Sequence, residues 1–239
     1  MFQLTQLKGL VHLEPGNSHC YVNPGGSNLD VGGGGINSLF KGELLAAGQR
    51  TEQYRDFLWH CRRHVRALVV YNQSVSEFDV TTVTEDLPYF LSRATFGCID
   101  PNVPEGFVCL CIFREVYTPK HPLNKGMVYT VGPARHMKLE AYRRVLLLTG
   151  FLLAKVLDIH NLQCADEEAI DTVVVVNISS GFNLHRGSSP PQNAALLKQG
   201  IAKYVPLHPT IRHEFHVTAE FLVDDANDSD PDTSSEESH

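Results

Sequence analysis

The sequence predicts an α/β fold in which strand-like and helix-like segments alternate along the chain. Residues 173–176 are four consecutive valines, a β-branched run typical of a strand buried on both faces of a sheet. Residues 138–159 are apolar on more than one side, as in a largely buried helix, and residues 193–205 carry an apolar stripe at helical spacing. Ser189 and Pro190 suit the start of that second helix. This alternation favours a mixed or mainly parallel sheet.

The remaining elements follow from short apolar runs that end at turn residues. The segments expected to be strands on this basis are residues 19–22, 107–113, 127–131 and 215–223. One further helix is expected over residues 52–68, because apolar side chains recur there at steps of three and four residues. Residues 1–223 are therefore interpreted as one domain.

Charge is distributed unevenly along the chain. The net charge is -7, but seven of the 27 acidic residues lie within residues 224–239, which contain no Lys or Arg. This segment is almost without apolar residues and is expected to be a disordered acidic tail. Without those seven residues the body has 20 acidic and 20 basic residues. Nucleic acid is therefore not expected as a partner.

Nothing in the sequence predicts export or insertion into a membrane. The first residues lack the basic flank and apolar core of a signal peptide. The most apolar stretch, residues 145–157, is shorter than the roughly 20 residues that cross a bilayer. With no secretory signal, the six cysteines are expected to be reduced in an intracellular protein, cytoplasmic or nuclear. Their positions show no zinc-ligand spacing, so no metal and no cofactor are expected. We also expect Cys109 and Cys111 to direct their thiols to opposite faces of a strand.

Two loops have the composition of a phosphate-binding site. The first follows the strand at residues 19–22 and contains four consecutive glycines before a helix-like segment. Consecutive glycines let a phosphate approach the backbone amides closely, and the start of a following helix adds partial positive charge. The residues of this loop that are predicted to bind the ligand are Asn23, Gly32, Gly33, Gly34, Gly35 and Ile36.

The second loop follows the strand of valines and is small, polar and glycine-containing. Ligands of open α/β sheets bind beyond the carboxyl ends of the strands, so the two loops are expected to hold a diphosphate from both sides. The residues of this loop that are predicted to bind it are Ser179, Ser180, Gly181 and Phe182. His185 and Arg186 follow, and either could support chemistry or phosphate binding; exposed solvated side chains are the simpler interpretation.

Three motifs in order resemble those of the macro-domain family, whose members bind ADP-ribose. The first comprises Val22, Asn23 and residues 33–36, the second is residues 128–133, which end in Val-Gly-Pro, and the third is residues 178–182. The resemblance covers roughly residues 5–222 and is interrupted by a divergent insertion at about 50–106. It implies a three-layer α/β/α fold with a mixed, mainly parallel sheet. It also implies that Asn23 contacts the distal ribose, that residues 33–36 and 180–182 supply amides to the phosphates, and that Phe182 lies over the distal sugar.

The motifs also depart from those of the family at positions that matter for catalysis. Pro24 and Gly25 replace two alanines, Gly26 replaces the second asparagine, and Asn37 stands where hydrolytic members often have an acidic residue. An asparagine amide takes up no proton at neutral pH and cannot act as a general base. We therefore favour a binding module for ADP-ribose or a related nucleotide, with no catalytic residue assigned.

Two alternatives stay open at this point. One is a hydrolase that removes ADP-ribose from mono-ADP-ribosylated protein or processes an ADP-ribose derivative. The other is a ligand-free macro-like scaffold, which would bind a protein partner through the insertion or the acidic tail. A viral origin is compatible with this composition, and no residue establishes it.

Overall fold

The computed structural model describes residues 3–8, 19–26, 66–70, 89–91, 105–112, 125–207 and 211–217. Within these ranges the strands are β1 Gln3–Lys8, β2 His19–Pro24, β3 Arg66–Val70, β4 Tyr89–Leu91, β5 Val108–Ile112, β6 Met127–Thr130, β7 Thr172–Val175 and β8 Arg212–Val217. The helices are α1 Leu139–Gln163, a short 3-10 helix Asp166–Glu168, and α2 Pro190–Lys203.

The eight strands form one sheet in the order β1-β8-β7-β2-β6-β5-β3-β4. Neighbours from β1 to β6 run parallel, and neighbours from β6 to β4 run antiparallel. The predicted α/β class and the mixed, mainly parallel sheet are thereby confirmed. The strands β2, β6 and β7, which carry the three motifs, are neighbours in the middle of the sheet.

Alternate residues of the central strands belong to two different buried layers. Val22, Val128 and Val173 share one apolar cluster with α1 and α2. Tyr21 and Tyr129 lie outside that cluster and are nevertheless fully buried. Because successive side chains of a strand point to opposite faces, the sheet is covered on both faces.

The two helices meet at a close crossing. A Cβ atom added to Gly150 of α1 would overlap the carbonyl oxygen of Leu197, and one added to Gly200 of α2 would overlap the carbonyl oxygen of Leu147. The start of α2 is as predicted, with Pro190 in the first turn and the Ser189 hydroxyl accepting a hydrogen bond from the backbone N–H of Gln192 at 3.4 Å.

By its length and composition, α1 could cross a membrane, and no other described helix could. The apolar stretch 145–157 lies within this helix, which has 25 residues in all. Most of its apolar stretch is buried inside the protein, against the sheet and α2. The apolar composition of α1 is accounted for by a position in the core.

Several strands begin or end where the sequence did not predict. The expected helix at residues 52–68 is wrong at residues 66–68, which belong to β3, while residues 52–65 lie outside the described part. A short apolar run fits either structure by periodicity alone, and pairing with β5 decides it. Both β3 and β4 fall within the insertion and extend the sheet, and β8 begins at Arg212, ahead of the expected 215.

The expected orientation of two thiols was also wrong. Cys109 and Cys111 lie two residues apart on β5, and their sulfur atoms are 3.8 Å from each other. Residues i and i+2 of a strand share a face, so the two thiols point to the same side. Both are fully buried and free of disulfides.

Candidate functional site

The candidate site lies at the carboxyl ends of the central strands β2, β6 and β7. These strands run parallel, so they end at the same edge of the sheet. Asn23 pairs with Tyr129, and Pro24 with Thr130, at the ends of β2 and β6. Asn177 follows β7 by two residues. In open α/β sheets this edge is where ligands bind.

Buried polar atoms without partners are concentrated at this edge. Among the described residues, four buried side-chain atoms make no hydrogen bond: Nδ2 and Oδ1 of Asn23, Oγ1 of Thr130 and Nδ2 of Asn177. A buried polar group without a partner costs about 1–3 kcal/mol, and such groups are rare in native proteins. Asn23 and Thr130 lie at the ends of β2 and β6, and Asn177 follows β7. This grouping indicates a candidate site whose polar groups a ligand or water completes.

The loops after β6 and β7 meet across the end of β2, which lies between these two strands in the sheet. The Ser179 hydroxyl donates to the carbonyl oxygen of Pro133 at 2.9 Å. A Cβ atom on Gly132 would overlap the side chain of Ser179, so only glycine permits this approach. The Val-Gly-Pro motif therefore supports the second predicted loop.

Two buried side chains hold the second loop from the helix side. The Tyr142 hydroxyl, from the first turn of α1, donates to the carbonyl oxygen of Ser179 at 3.0 Å. The side-chain nitrogen of Asn193, from α2, donates to the Tyr142 oxygen at 2.8 Å and to the Ser179 carbonyl at 3.0 Å. Burial raises the pKa of Tyr142, and the hydrogen bonds around it offset part of that shift. The hydroxyl is thus kept protonated and able to donate.

Three successive backbone amides of this loop lack an acceptor in the described part of the chain. In the part of the chain that the structure describes, the N–H groups of Ser180, Gly181 and Phe182 donate to no backbone or side-chain acceptor. A Cβ atom on Gly181 would meet nothing within 4 Å, so the space beside this residue is open. Successive free amides in a turn form the kind of concave site that binds phosphate oxygens.

An aromatic and basic surface borders the second loop. The Phe182 side chain is 79% exposed, and the guanidinium carbon of Arg135 lies 4.2 Å from the centre of its ring. Residues 131–138 and 176–189 contain Arg135, His136, Lys138, His185 and Arg186 and no Asp or Glu. The positive charge of this surface favours an anionic ligand.

His185, noted in the sequence as a candidate for chemistry, is engaged within its own loop. Its Nδ1 accepts a hydrogen bond from the backbone N–H of Gly187 at 2.9 Å. Its ring lies 5.3 Å from the ring of Tyr142, centre to centre. These contacts assign His185 a part in shaping the loop, and Arg186 is exposed beside it.

Some of the residues predicted to bind the ligand lie within the described part of the chain, and the others lie outside it. Asn23 lies near the end of β2, and the four residues 179–182 follow β7, the adjacent parallel strand. The predicted residues that lie outside the described part are Gly32, Gly33, Gly34, Gly35 and Ile36. The site residues that the sequence analysis missed are Thr130, Arg135, Tyr142, Asn177 and Asn193. Asn193 carried a usable signal, because it is a polar residue on the same side of α2 as the apolar Leu197.

Comparisons with known proteins show similarity to a curated protein and to solved structures. No family model matches the sequence. The chain is 29% identical over 128 residues to the DNA/RNA-binding protein ALBA4 of Plasmodium yoelii yoelii, which covers 50% of this chain and 33% of that protein. The chain thus spans about a third of the length of this curated relative. It is also similar to a macrodomain of Oceanobacillus iheyensis with ADP, at a TM-score of 0.48 and 13% identity, over 89% of this chain and 83% of that one.

Proposed function

We propose that the chain is a binding module for ADP-ribose or a closely related diphosphate nucleotide, held at the carboxyl edge of β2, β6 and β7. One observation carries the proposal, namely the unpartnered buried polar atoms of Asn23, Thr130 and Asn177 at that edge. A nucleotide supplies the donors and acceptors that these atoms lack, from its ribose hydroxyls and phosphate oxygens.

Each part of the ligand has a group in the site that suits it. The amides of Ser180, Gly181 and Phe182 suit phosphate oxygens, together with the glycine loop at residues 32–35. The Asn23 side chain offers one donor and one acceptor to the distal ribose. The exposed ring of Phe182 suits the apolar face of that sugar, and Arg135 adds positive charge beside it.

Calorimetric titration with ADP-ribose, with ADP and AMP as controls, tests the proposal. We expect ADP-ribose to bind more tightly than ADP, because ADP lacks the distal ribose. We expect ADP to bind more tightly than AMP, because AMP also lacks the second phosphate. Gly181→Val should fold normally, since a Cβ there meets nothing within 4 Å, and should abolish binding by filling the phosphate position. The exposed neighbour Asn183→Ala is the matched control. Unchanged affinity in folded Gly181→Val would contradict the assignment.

Hydrolysis of mono-ADP-ribosylated protein is expected to be weak or absent. Gly26 stands where hydrolytic macro domains have an asparagine, and Asn37 stands where they often have an acidic residue. The Nδ1 atom of His185 already accepts a hydrogen bond from the backbone N–H of Gly187. Release of labelled ADP-ribose, compared with an enzyme-free blank, measures this. Rapid turnover at low enzyme concentration would instead establish the hydrolase and make His185→Ala the next variant.

Binding to single-stranded nucleic acid is the second candidate function. It is favoured by the likeness to a protein named as DNA/RNA-binding and by the acid-free basic segments beside Phe182. Exposed aromatic rings with adjacent arginines stack on unpaired bases. Titration with a labelled single-stranded RNA at two salt concentrations tests it, with Arg135→Ala and Arg186→Ala as variants. The neutral charge of the body argues against this candidate.

The scaffold alternative makes the opposite prediction for every nucleotide. A folded protein that binds none of them in calorimetry would favour it, and would direct attention to protein partners of the insertion or the tail. An intracellular location is part of the proposal in each case, since ADP-ribose-type nucleotides and free thiols both belong to that compartment.

A further inference from the structure

We propose that Tyr142 and Asn193 are positioning residues that orient the peptide bond between Ser179 and Ser180. In this orientation the N–H group of the peptide points into the candidate site at the strand ends and binds an anionic oxygen of the ligand. The inference rests on the proposed function and deepens it, because it identifies what sets the direction of the anion-binding amide. Neither side chain belongs to any of the three sequence motifs.

The direction of the amide follows from the carbonyl of the same peptide. The Ser179 carbonyl oxygen accepts hydrogen bonds from the Tyr142 hydroxyl and from the Asn193 side chain, both at 3.0 Å. The described residues contain no cis peptide bond, and in a trans peptide the C=O and N–H groups point in opposite directions. Since the carbonyl points towards α1 and α2, the N–H group of Ser180 points away from both helices.

This orientation has a conformational cost that the two side chains offset. Ser179 has φ of 54°, the only positive value among the described residues other than glycine. A residue that carries a Cβ atom is disfavoured in this region of backbone conformation. The bonds from Tyr142 and Asn193 to the Ser179 carbonyl stabilise the loop in this conformation and would be lost if the peptide between Ser179 and Ser180 rotated. The hydroxyl of Ser179 adds a third restraint through its bond to Pro133.

The chemistry of the surrounding atoms fixes which way Asn193 faces. Its Nδ2 lies near the carbonyl oxygens of Ser179 and Ile178, at 3.0 and 3.4 Å, and these oxygens can only accept hydrogen bonds. Its Oδ1 accepts from the Ser188 hydroxyl at 2.7 Å. Asn193 and Tyr142 are fully buried, so water does not compete for these bonds. The first turns of two helices thereby hold one peptide of the loop.

The test uses two variants of the full chain and a matched control, with ADP-ribose as the probe. Tyr142→Phe removes the donor to Ser179. Tyr204→Phe is the control, because it removes a partly buried hydroxyl that follows α2 and donates to Asp158, near the end of α1. Ser179→Gly suits a positive φ yet lets the peptide rotate, so its fold should be retained. Calorimetry gives the affinity, and the backbone amide signal of Ser180 in ¹H–¹⁵N spectra reports the anion contact.

We expect Tyr142→Phe and Ser179→Gly to weaken ADP-ribose binding about tenfold, the scale of one hydrogen bond to a charged group. The ligand-induced shift of the Ser180 amide should shrink in both variants, and Tyr204→Phe should match the wild type. Wild-type affinity and an unchanged Ser180 shift in both variants would overturn the inference while leaving the proposed function intact. Failure of the wild-type chain to bind ADP-ribose would overturn both. If Tyr142→Phe does not fold, Ser179→Gly decides.

Discussion

The phenol ring of Tyr129 fills the space in which a side chain at Gly25 would lie. A Cβ atom built on Gly25 overlaps the ring, whose hydroxyl donates to the neighbouring carbonyl of Gly26 at 3.0 Å. Tyr129 is fully buried and is separated from Gly26 by 103 positions in the sequence. Glycine at position 25 therefore leaves room for a large residue on the adjacent strand.

Gly25→Ala is expected to destabilise the protein by about 1–3 kcal/mol, the usual cost of overpacking a rigid site. The free energy of unfolding, from urea denaturation, measures the effect. Gly181→Ala is the control and should change it little, since nothing lies within 4 Å of a Cβ there. The double variant Gly25→Ala with Tyr129→Leu should lose less free energy of unfolding than the sum of the losses in the two single variants. Additive costs would show that the two residues are independent.

Thr130→Val is expected to stabilise the protein while weakening ADP-ribose binding. The Thr130 hydroxyl is buried without a partner, so its replacement by a methyl group of similar size removes a desolvation cost of about 1–3 kcal/mol. Thr149→Val is the matched control, because that hydroxyl donates to the Val145 carbonyl at 2.8 Å and should give no gain. A loss of stability in Thr130→Val would mean that the hydroxyl is satisfied within the protein.

Gly200→Ala is expected to destabilise the crossing of α1 and α2. Alanine favours a helix over glycine by about 1 kcal/mol, but its Cβ would overlap the Leu147 carbonyl, and separating two packed helices costs more than that gain. The exposed Gln199→Ala on the same helix should be neutral or slightly stabilising. Thermal unfolding of both variants measures the difference. A rise in the midpoint for Gly200→Ala would show that the helices can move apart freely.

Stability is expected to fall at alkaline pH because two tyrosines resist ionisation in the folded protein. Burial raises the pKa of Tyr142, and burial together with the hydrogen-bonded Asp158 raises the pKa of Tyr204. The unfolded chain releases these protons near the ordinary pKa of about 10. The contribution of the two tyrosines to the free energy of unfolding is therefore complete below that pH, and it is lost as the pH rises towards the higher pKa values of the folded protein.

Urea denaturation at pH 8, 9.5 and 10.5 measures this dependence. The variant with both Tyr142→Phe and Tyr204→Phe should lose less stability across the series than the wild type. Some slope should remain, because burial also raises the pKa of the Cys20 thiol and acts in the same direction. An unchanged slope in the double variant would show that neither tyrosine controls the alkaline limit.

Deletion of residues 224–239 is expected to leave the fold and nucleotide affinity unchanged. The segment has too few apolar residues to offset an ordering cost of roughly 1–2 kcal/mol per residue. The thermal midpoint and the calorimetric affinity of the truncated chain check this. A loss of several degrees, or of binding, would show that the tail packs on the domain.

The sequence by itself determined the local features of this protein. The valine run of β7, the apolar sides of α1 and α2 and the start of α2 at Ser189 and Pro190 were all predicted, because periodicity and helix capping act between residues a few positions apart. The two loops were placed at strand ends for the same reason. Asn23 and residues 179–182 were therefore predicted to lie near strand ends before the topology was known, and their role in ligand binding stays a prediction.

The tertiary structure decided what depends on residues distant in sequence. The assignment of residues 66–68 to a strand required pairing with β5, and the need for glycine at Gly25 required the ring of Tyr129. The hydrogen bond from Asn193 to Tyr142 joins residues 51 positions apart, and no periodicity within either helix encodes it. A buried polar side chain is stable only beside its partner, and only the folded chain brings the two together.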